Sequence, residues 1–464
     1  MNLDERLIKI VPSERQIKFQ RLEFYAFIHF TVNTFTDKEW GDGTESPEIF
    51  SPTKLDAEQW VKAVKSAGMR GLILTCKHHD GFCLWDCKYT KHTVMNSPYG
   101  KDIVKETAKA CRKHGIKFGV YLSPWDRNCP LYGQGKAYDD YFVNQLTELL
   151  TGYGDVFSVW FDGACGEGPN GKKQYYDWER YYSVIRELQP EACISVCGPD
   201  IRWCGNEAGH TRKAEWSVVP LRAKDSEIIS EKSQQEDNEE FRQRRVDARD
   251  EDLGSRKMLA DEQELIWYPA EVNTSIRPGW FWHESENDKV RPLEKLMDIY
   301  IKSVGGNATF LLNIPPTNEG LLHENDVRRL EEIGEFIRNA FADNIAPDCD
   351  ITADCEGIEN VLTDSYESCY IPETPETEIT FKFDKPEKLG YLVIKENIRM
   401  GQRVESFTVS VSENGSFREV YEGTVIGYKR IVPLNNVVTD SLKIKITDSR
   451  ISPVISFIGI YRSK

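Results

Sequence analysis

The chain has 464 residues, of which 40% are apolar and 29% charged, and its net charge at pH 7 is −16. This profile indicates a globular protein with more than one domain and excludes a disordered chain. The acidic balance argues against a nucleic-acid partner, which would require a basic surface. A membrane span is also excluded, because no apolar run approaches the roughly 20 residues that cross a bilayer.

Strand-like apolar runs alternate with helical patterns over the first three quarters of the chain. The eight predicted strands are residues 24–32, 71–79, 116–124, 156–163, 192–199, 214–220, 265–273 and 308–316. Two of the intervening segments, DAEQWVKAVKSAG and KDIVKETAKACRKHG, begin with an aspartate cap and end at a glycine, as amphipathic helices do. Eight apolar strands with intervening helices predict a (β/α)8 barrel of the TIM type.

Two segments interrupt the alternation. Residues 200–213 leave no room for a full helix, so we predict a loop there. Residues 221–262 are rich in charge, which is typical of a solvated helix or a flap and could also cover the mouth of a site.

The pattern changes after Pro347, where short alternating segments such as EITFKFD, ESFTVSVSE and ISFIGIYR are separated by turn residues. This spacing is typical of an antiparallel β-sandwich. We therefore predict a catalytic barrel over residues 1–345 and a C-terminal β-sandwich over residues 346–464. An independent carbohydrate-binding module is the alternative interpretation of this second part.

Neither the N-terminus nor the cysteines indicate an extracellular scaffold. The first ten residues, MNLDERLIKI, carry no secretory signal, so we expect a cytoplasmic protein, or a periplasmic or extracellular one if an upstream signal peptide has been removed. The 12 cysteines are too sparse for a disulfide framework, and Cys83 and Cys87 in CLWDC have no second pair to complete a zinc site.

Polar and aromatic residues collect where the predicted strands end, which is where barrel enzymes carry their chemistry. His29 lies on strand one, and strand two ends at His78 and His79, while Tyr121 and Asp162 mark the ends of strands three and four. Carboxylates, imidazoles and aromatic rings in one mouth suit a sugar, whose hydroxyls need polar partners and whose C–H faces stack on rings. No glycine-rich phosphate loop is present, and we expect no cofactor.

A metal-dependent hydrolase is the competing interpretation of KHHDGF (77–82). Adjacent residues of a regular strand point to opposite faces, so His78 and His79 could share a metal only if the strand breaks there. Asp80 and Gly81 allow such a break, and His29 or Asp162 could then supply a third ligand.

Six segments together resemble the α-L-fucosidases of glycoside hydrolase family 29. They are FIHF (27–30), EWGDG (39–43), KHHDGF (77–82), VYLSPWD (120–126), VWFDG (159–163) and LLNIPP (311–316), in the same order as in that family. The resemblance implies a retaining mechanism without a catalytic metal and a β-sandwich after the barrel. It places the nucleophile on Asp162.

The segment RWCGNEAG (202–209) resembles the branch of the family that hydrolyses α-1,3 and α-1,4 fucosyl links in branched, Lewis-type glycans. This resemblance places the acid/base on Glu207, within a retaining exo-α-L-fucosidase whose partner is a fucosylated oligosaccharide or glycoconjugate. A fucose-binding barrel without turnover remains the alternative. The implied sugar-binding positions are His29, Glu39, Trp40, His78, His79, Tyr121 and Trp280.

Overall fold

The computed structural model describes residues 2–225 and 252–463. Eight parallel strands of one sheet surround a common axis in a nearly closed barrel, as predicted. They are β1 (Phe24–Ile28), β2 (Gly71–Lys77), β3 (Lys117–Leu122), β4 (Ser158–Phe161), β5 (Cys193–Val196), β6 (Arg202–Trp203), β9 (Ala270–Ser275) and β10 (Ala308–Asn313).

The order of the strands around the sheet is β5-β4-β3-β2-β1-β10-β9-β6. The two edge strands approach each other through a parallel bridge between Ser195 and Ile201. Most residues of the longer strands are buried on both faces, which explains why they are apolar throughout rather than alternating. Because the eight strands are parallel, their carboxyl ends meet at one rim.

One predicted barrel strand is wrong. Residues 218–220 form β7 (Val218–Pro220), which pairs antiparallel with β8 (Leu265–Trp267) in a separate two-stranded sheet. The sixth position of the barrel belongs instead to β6, which lies in the segment predicted to be a loop and pairs with β9 through Arg202 and Ala270. Two residues are too few to show any strand periodicity.

Helices cover the outside of the barrel and begin at the capping residues that the sequence provides. Asp56 and Asp102 accept backbone N–H groups at the first turns of the fourth and fifth helices, and Gly115 ends the fifth with a φ of 71°. The helices are α1 (Leu3–Leu7), α2 (Glu14–Gln20), α3 (Asn33–Thr36), α4 (Ala57–Ser66), α5 (Ile103–His114), α6 (Lys136–Gly152), α7 (Trp178–Leu188), α8 (Arg256–Leu259), α9 (Leu293–Ser303) and α10 (Glu324–Ala340). Much of the predicted charged insert, residues 226–251, lies outside the described residues.

The C-terminal part is an antiparallel sheet region, as expected from its alternating pattern. Its strands are β11 (Asp350–Ala353), β12 (Thr377–Glu396), β13 (Val404–Glu413), β14 (Ser416–Gly423), β15 (Arg430–Ser449) and β16 (Ile455–Arg462). β12 and β15 each run for 20 residues and pair with each other. Register shifts interrupt this pairing along its length. Segments that read as separate short strands are therefore joined into longer ones.

The C-terminal sheets pack against the barrel through apolar and charged contacts. Ile431 and Phe457 are buried in the same hydrophobic cluster as the barrel strands. The Tyr428 hydroxyl donates to Glu23 Oε1 at 2.9 Å, and Lys429 Nζ lies 2.9 Å from Glu23 Oε2. The division at residue 345 stays a prediction. Within the described ranges, no helix is both long and apolar enough to cross a membrane.

Candidate active site

A cavity of about 630 Å³, its open mouth included, lies at the rim where the barrel strands end. Eight of the nine residues predicted for the site line it, and the ninth, Tyr121, contacts it through Asp162. The lining residues are Phe27, His29, Glu39, Trp40, His78, His79, Trp160, Asp162, Gly163, Ala164, Val196, Trp203, Glu207, Asn273 and Trp280.

Asp162 follows β4 directly, so its carboxylate is fixed at the cavity wall by a rigid element. The buried Tyr121 hydroxyl donates to Asp162 Oδ2 at 2.8 Å, and the Ala164 backbone N–H donates to Oδ1 at 2.9 Å. Trp160, two residues earlier on the same face of the strand, forms part of the cavity wall and stacks on Tyr121 with ring centroids 5.4 Å apart. Phe161 points outward and packs against helix residues such as Tyr181.

Glu207 reaches the same cavity from the loop after β6. The Trp280 indole donates its Nε1–H to Glu207 Oε2 at 2.9 Å, which orients the carboxyl group. The same indole lines the cavity and lies 5.3 Å from the His29 ring, centroid to centroid. Trp280 therefore connects a predicted acid/base to a predicted sugar-binding residue.

Glu39 holds the segment that carries Trp280. Its carboxylate accepts the backbone N–H groups of Trp280 at 2.8 Å and Phe281 at 3.2 Å, and it contacts His283 Nε2 at 2.7 Å. The hydrogen bond to Glu39 raises the pKa of His283 to about 9. A Cβ atom at Gly279 would come within 2.6 Å of Glu39 Oε1 and 2.9 Å of His283 Cδ2, so a larger residue there would displace this pair.

His78 and His79 both line the cavity because β2 ends at Lys77, one residue before them. Their ring centroids are 4.1 Å apart. Gly81, with a φ of 78°, completes the turn that breaks the strand. His78, His79 and Asp162 each offer a ligand atom within 4.8 Å of the others, so the competing metal interpretation has a geometric basis.

The hydrogen bonds of His29 and His79 define which ring nitrogen faces the cavity. Ser123 donates its hydroxyl to Trp125 O at 2.7 Å, so its oxygen accepts from His79 Nδ1–H, also at 2.7 Å. Asn313 donates its amide to Trp280 O, so its oxygen accepts from His29 Nδ1–H at 2.8 Å. Burial lowers the pKa of both histidines to about 4. Both rings are therefore neutral at pH 7, and their Nε2 atoms are acceptors for hydroxyl groups.

Two other buried carboxylates have structural partners. Glu215 is buried against Arg202 at 3.0 Å and Arg212 at 3.3 Å. Burial would raise the pKa of Glu215, but the two guanidinium groups outweigh it and hold the pKa below its usual value. Glu271 accepts from the Trp160 indole at 2.8 Å, and burial raises the pKa of Glu271 to about 7. Neither of them lines the cavity.

Sequence reasoning did not assign Phe27 and Asn273 to the site, although they line it, and it named Trp203 only as a residue of the loop after the fifth predicted strand. Trp203 Nε1 donates to Asn273 Oδ1 at 3.3 Å between the neighbouring strands β6 and β9. The alternation of Glu271, Asn273 and Ser275 in β9 was the available signal, since residues two apart on a strand share a face. Asp126, the last residue of the VYLSPWD segment, does not line the cavity and pairs with Lys77 in a buried ion pair at 2.9 Å.

Comparison with known proteins places these features in one family. The family model for α-L-fucosidase matches residues 13–340. The α-L-fucosidase 1 of Arabidopsis thaliana is 39% identical over 472 residues, which cover 98% of this chain and 88% of that protein. A glycoside hydrolase 29 family member from a rumen bacterium is 39% identical with a TM-score of 0.81, over 98% of this chain and 78% of that one. A family 29 fucosidase from Ruminococcus gnavus in complex with fucose is 30% identical with a TM-score of 0.83, over 98% and 95% of the two chains.

Proposed function

The chain belongs to the α-L-fucosidase family, glycoside hydrolase family 29, and is thus a glycoside hydrolase; we propose that it is a retaining exo-α-L-fucosidase. Its substrates are branched, Lewis-type glycans with terminal L-fucose in α-1,3 or α-1,4 linkage. The observation that carries this proposal is the presence of Asp162 and Glu207 on the wall of one cavity, each oriented by a hydrogen bond from a ring residue. A related fucosidase crystallised with fucose supports the same sugar class.

In the first step, Glu207 gives its proton to the glycosidic oxygen while an Asp162 oxygen bonds to the anomeric carbon, and the bond to the leaving sugar breaks. In the second step, Glu207 takes a proton from water, whose oxygen attacks the anomeric carbon and releases Asp162. Two inversions give retention. This mechanism requires the two carboxyl groups to be about 5–5.5 Å apart in the closed complex, and a separation of about 8 Å would indicate inversion.

The remaining cavity residues suit fucose as a polyol with one apolar edge. The neutral His29 and His79 rings offer Nε2 acceptors, and Glu39 offers carboxylate oxygens to hydroxyl groups. Trp40, Trp160 and Trp280 supply apolar and aromatic walls for the C–H faces. His78 and Tyr121 complete the sugar-binding set, and the sequence of the Glu207 loop supports the α-1,3/1,4 linkages.

A metal-dependent hydrolase is the second candidate, because His78, His79 and Asp162 are close enough to share an ion. Dialysis against EDTA separates the two candidates. We expect the dialysed protein to retain its full rate on a Lewis-type trisaccharide. Loss of the rate, with recovery on addition of Zn²⁺, would support the metal candidate instead.

Product analysis with azide tests the two assigned roles. Glu207→Ala should accumulate the fucosyl-enzyme on an aryl fucoside with a good leaving group, because the second step lacks its base. Azide needs no base, so it should give a fucosyl azide with the anomeric configuration of the substrate. Asp162→Gly forms no such intermediate, so azide should give only the opposite anomer.

Glu284→Ala is the matched control, because it removes an exposed glutamate from the segment that follows Trp280. Its rates should equal those of the wild type. Wild-type rates of Glu207→Ala on a Lewis-type trisaccharide would contradict its role as the acid. Turnover of oligosaccharides by Asp162→Gly without azide would contradict its role as the nucleophile, and absence of turnover by the wild type on all fucosides would favour a binding protein.

A further inference from the structure

A second cavity, larger than the candidate active site, lies between the barrel and the C-terminal sheets. It measures about 1800 Å³ with its open side included. Residues 209–213 of the loop after β6 form one wall, α9 forms another, and β14 and the start of β15 form the third. We call this cavity the cationic cleft.

The cleft is lined by more basic than acidic side chains, although the chain as a whole carries a net charge of −16. Its two carboxylates are Asp298 and Glu422. Its basic residues are Arg212, Lys213, Lys295, Lys302 and Arg430, with His210 beside them. A positive concave surface on an acidic protein concentrates anions locally, because the surrounding low-dielectric walls focus its field.

Three of these basic groups already have partners within the protein. Arg212 pairs with Glu215 at 3.3 Å, and Lys302 pairs with Asp298 at 2.8 Å. Arg430 donates to the Val425 backbone carbonyl. These contacts fix the walls of the cleft.

Lys213 and Lys295 differ from the other basic residues of the cleft. Their side chains are exposed, and across residues 2–225 and 252–463 no carboxylate lies within ion-pair distance of either ammonium group. They come from different walls, one from the loop after β6 and one from α9. Two uncompensated ammonium groups facing one cavity can bind anionic groups of a single ligand.

The third wall offers an aromatic ring against which a sugar can pack. Tyr421 lines the cleft, and its ring contacts Phe407 with ring centroids 5.8 Å apart. Aromatic side chains are common in the walls of ligand sites, where they pack against the apolar parts of a ligand.

We propose that the cationic cleft binds an anionic oligosaccharide, with Lys213 and Lys295 contacting carboxylate or sulfate groups and the Tyr421 ring packing against the sugar ring. The cleft is distinct from the cavity at the rim of the barrel and shares no lining residue with it. The loop that carries Glu207 also supplies the first wall of the cleft, so the two sites are neighbours along the chain.

Isothermal titration of the full chain at low salt tests the proposal. The probes are tetragalacturonate, a chondroitin sulfate tetrasaccharide and neutral cellotetraose. We expect binding of at least one anionic probe and none of cellotetraose, and the anionic arm that binds identifies carboxylate or sulfate as the recognised group. The titration is repeated with saturating L-fucose, which should leave the binding unchanged because the cleft is separate from the candidate active site.

The decisive comparison is between two double variants. Lys213→Ala/Lys295→Ala should weaken binding about five- to tenfold, since each exposed charge contact contributes modestly. Lys109→Ala/Lys385→Ala removes two exposed lysines far from the cleft in sequence and should change it less than about twofold. Equal weakening in both double variants, no binding by the wild type, or displacement of the probe by L-fucose would each overturn the proposal.

Discussion

The charge of His283 should stabilise the segment that carries Trp280, and its loss should be visible as a pH dependence. His283 contacts Glu39 through Nε2 at 2.7 Å and Asp37 through Nδ1 at 2.6 Å, so both ring nitrogens donate to carboxylates. The hydrogen bond to Glu39 is the largest cause of the rise of its pKa from 6.5 to about 9. The imidazolium form is therefore the one that holds Glu39, and through it the Trp280 backbone.

The magnitude follows from the shift of the pKa. A rise from 6.5 to about 9 corresponds to a ceiling of about 3 kcal/mol, at 1.4 kcal/mol for each unit. Asp37 is 78% exposed, so solvent screens its share, and we expect about 1–2 kcal/mol in practice. Because the folded-state pKa is raised, this stabilisation is fully present below pH 6.5 and is lost as the pH rises through about 9.

The variant His283→Gln, compared with the wild type by urea unfolding at several pH values, tests this reasoning. The free energy of unfolding should be about 1–2 kcal/mol lower for the variant at pH 6, and the difference should vanish near pH 10. The kcat/KM of the wild type on a Lewis-type trisaccharide should also fall above pH 9, because the Trp280 backbone then loses its support. The variant should not show this alkaline limb of the pH profile.

His114→Gln is the control, because His114 contacts Glu58 at 3.1 Å on the outside of the barrel. It should leave the alkaline limb of kcat/KM unchanged. A difference between His283→Gln and the wild type that stays constant from pH 6 to pH 10 would refute the reasoning, because a lost contact without a lost charge has no such pH dependence.

Three further predictions concern stability. Arg277→Met should lower the free energy of unfolding by about 3–5 kcal/mol, because it leaves the buried Asp326 without its partner at 2.9 Å; a cost below 1 kcal/mol in urea unfolding would contradict this. The advantage of Glu271→Gln over the wild type in free energy of unfolding should grow by about 2–3 kcal/mol as the pH rises from 4.5 to 7 and stay constant above pH 7, because the raised pKa makes ionisation of Glu271 unfavourable in the folded state; a pH-independent difference would contradict this. Truncation before residue 345 should give insoluble protein, because Ile431 and Phe457 complete the barrel's apolar cluster; a soluble, active product would disprove that role.

The long barrel strands could be predicted from the sequence because burial on both faces makes them continuously apolar. β2 and β10 are examples in which every residue is buried. β6 could not be predicted, because the two residues that pair with β9 are too few to show a strand periodicity. The apolar run at 214–220 predicts a barrel strand because it is long and apolar. Its residues are buried against the C-terminal part and not in the barrel wall.

The candidate site was predictable to a different extent for each residue. Asp162, His78 and His79 follow strands directly, so the barrel rule alone brings them together. Glu39 and Glu207 lie in loops; only the family resemblance pointed to Glu39, and it supplied the role of Glu207, which the strand-end rule only placed near the barrel mouth. Their positions depend on long-range hydrogen bonds, such as those from the Trp280 backbone and indole, which no local pattern encodes.

The buried carboxylates of the barrel divide by the kind of group that holds them. Asp126 is paired with Lys77 and Asp326 with Arg277, and such pairs hold a carboxylate in place against a cation. Asp162 is held differently, by a phenol hydroxyl and a backbone amide, with a neutral imidazole 3.7 Å away.

Neutral donors orient a carboxylate without cancelling its charge. An anion held in this way can attack a carbon that becomes positive in the transition state, whereas one locked to a guanidinium would first have to give up that partner. The choice of neutral donors around Asp162 is therefore what a nucleophile needs and what a structural ion pair would prevent.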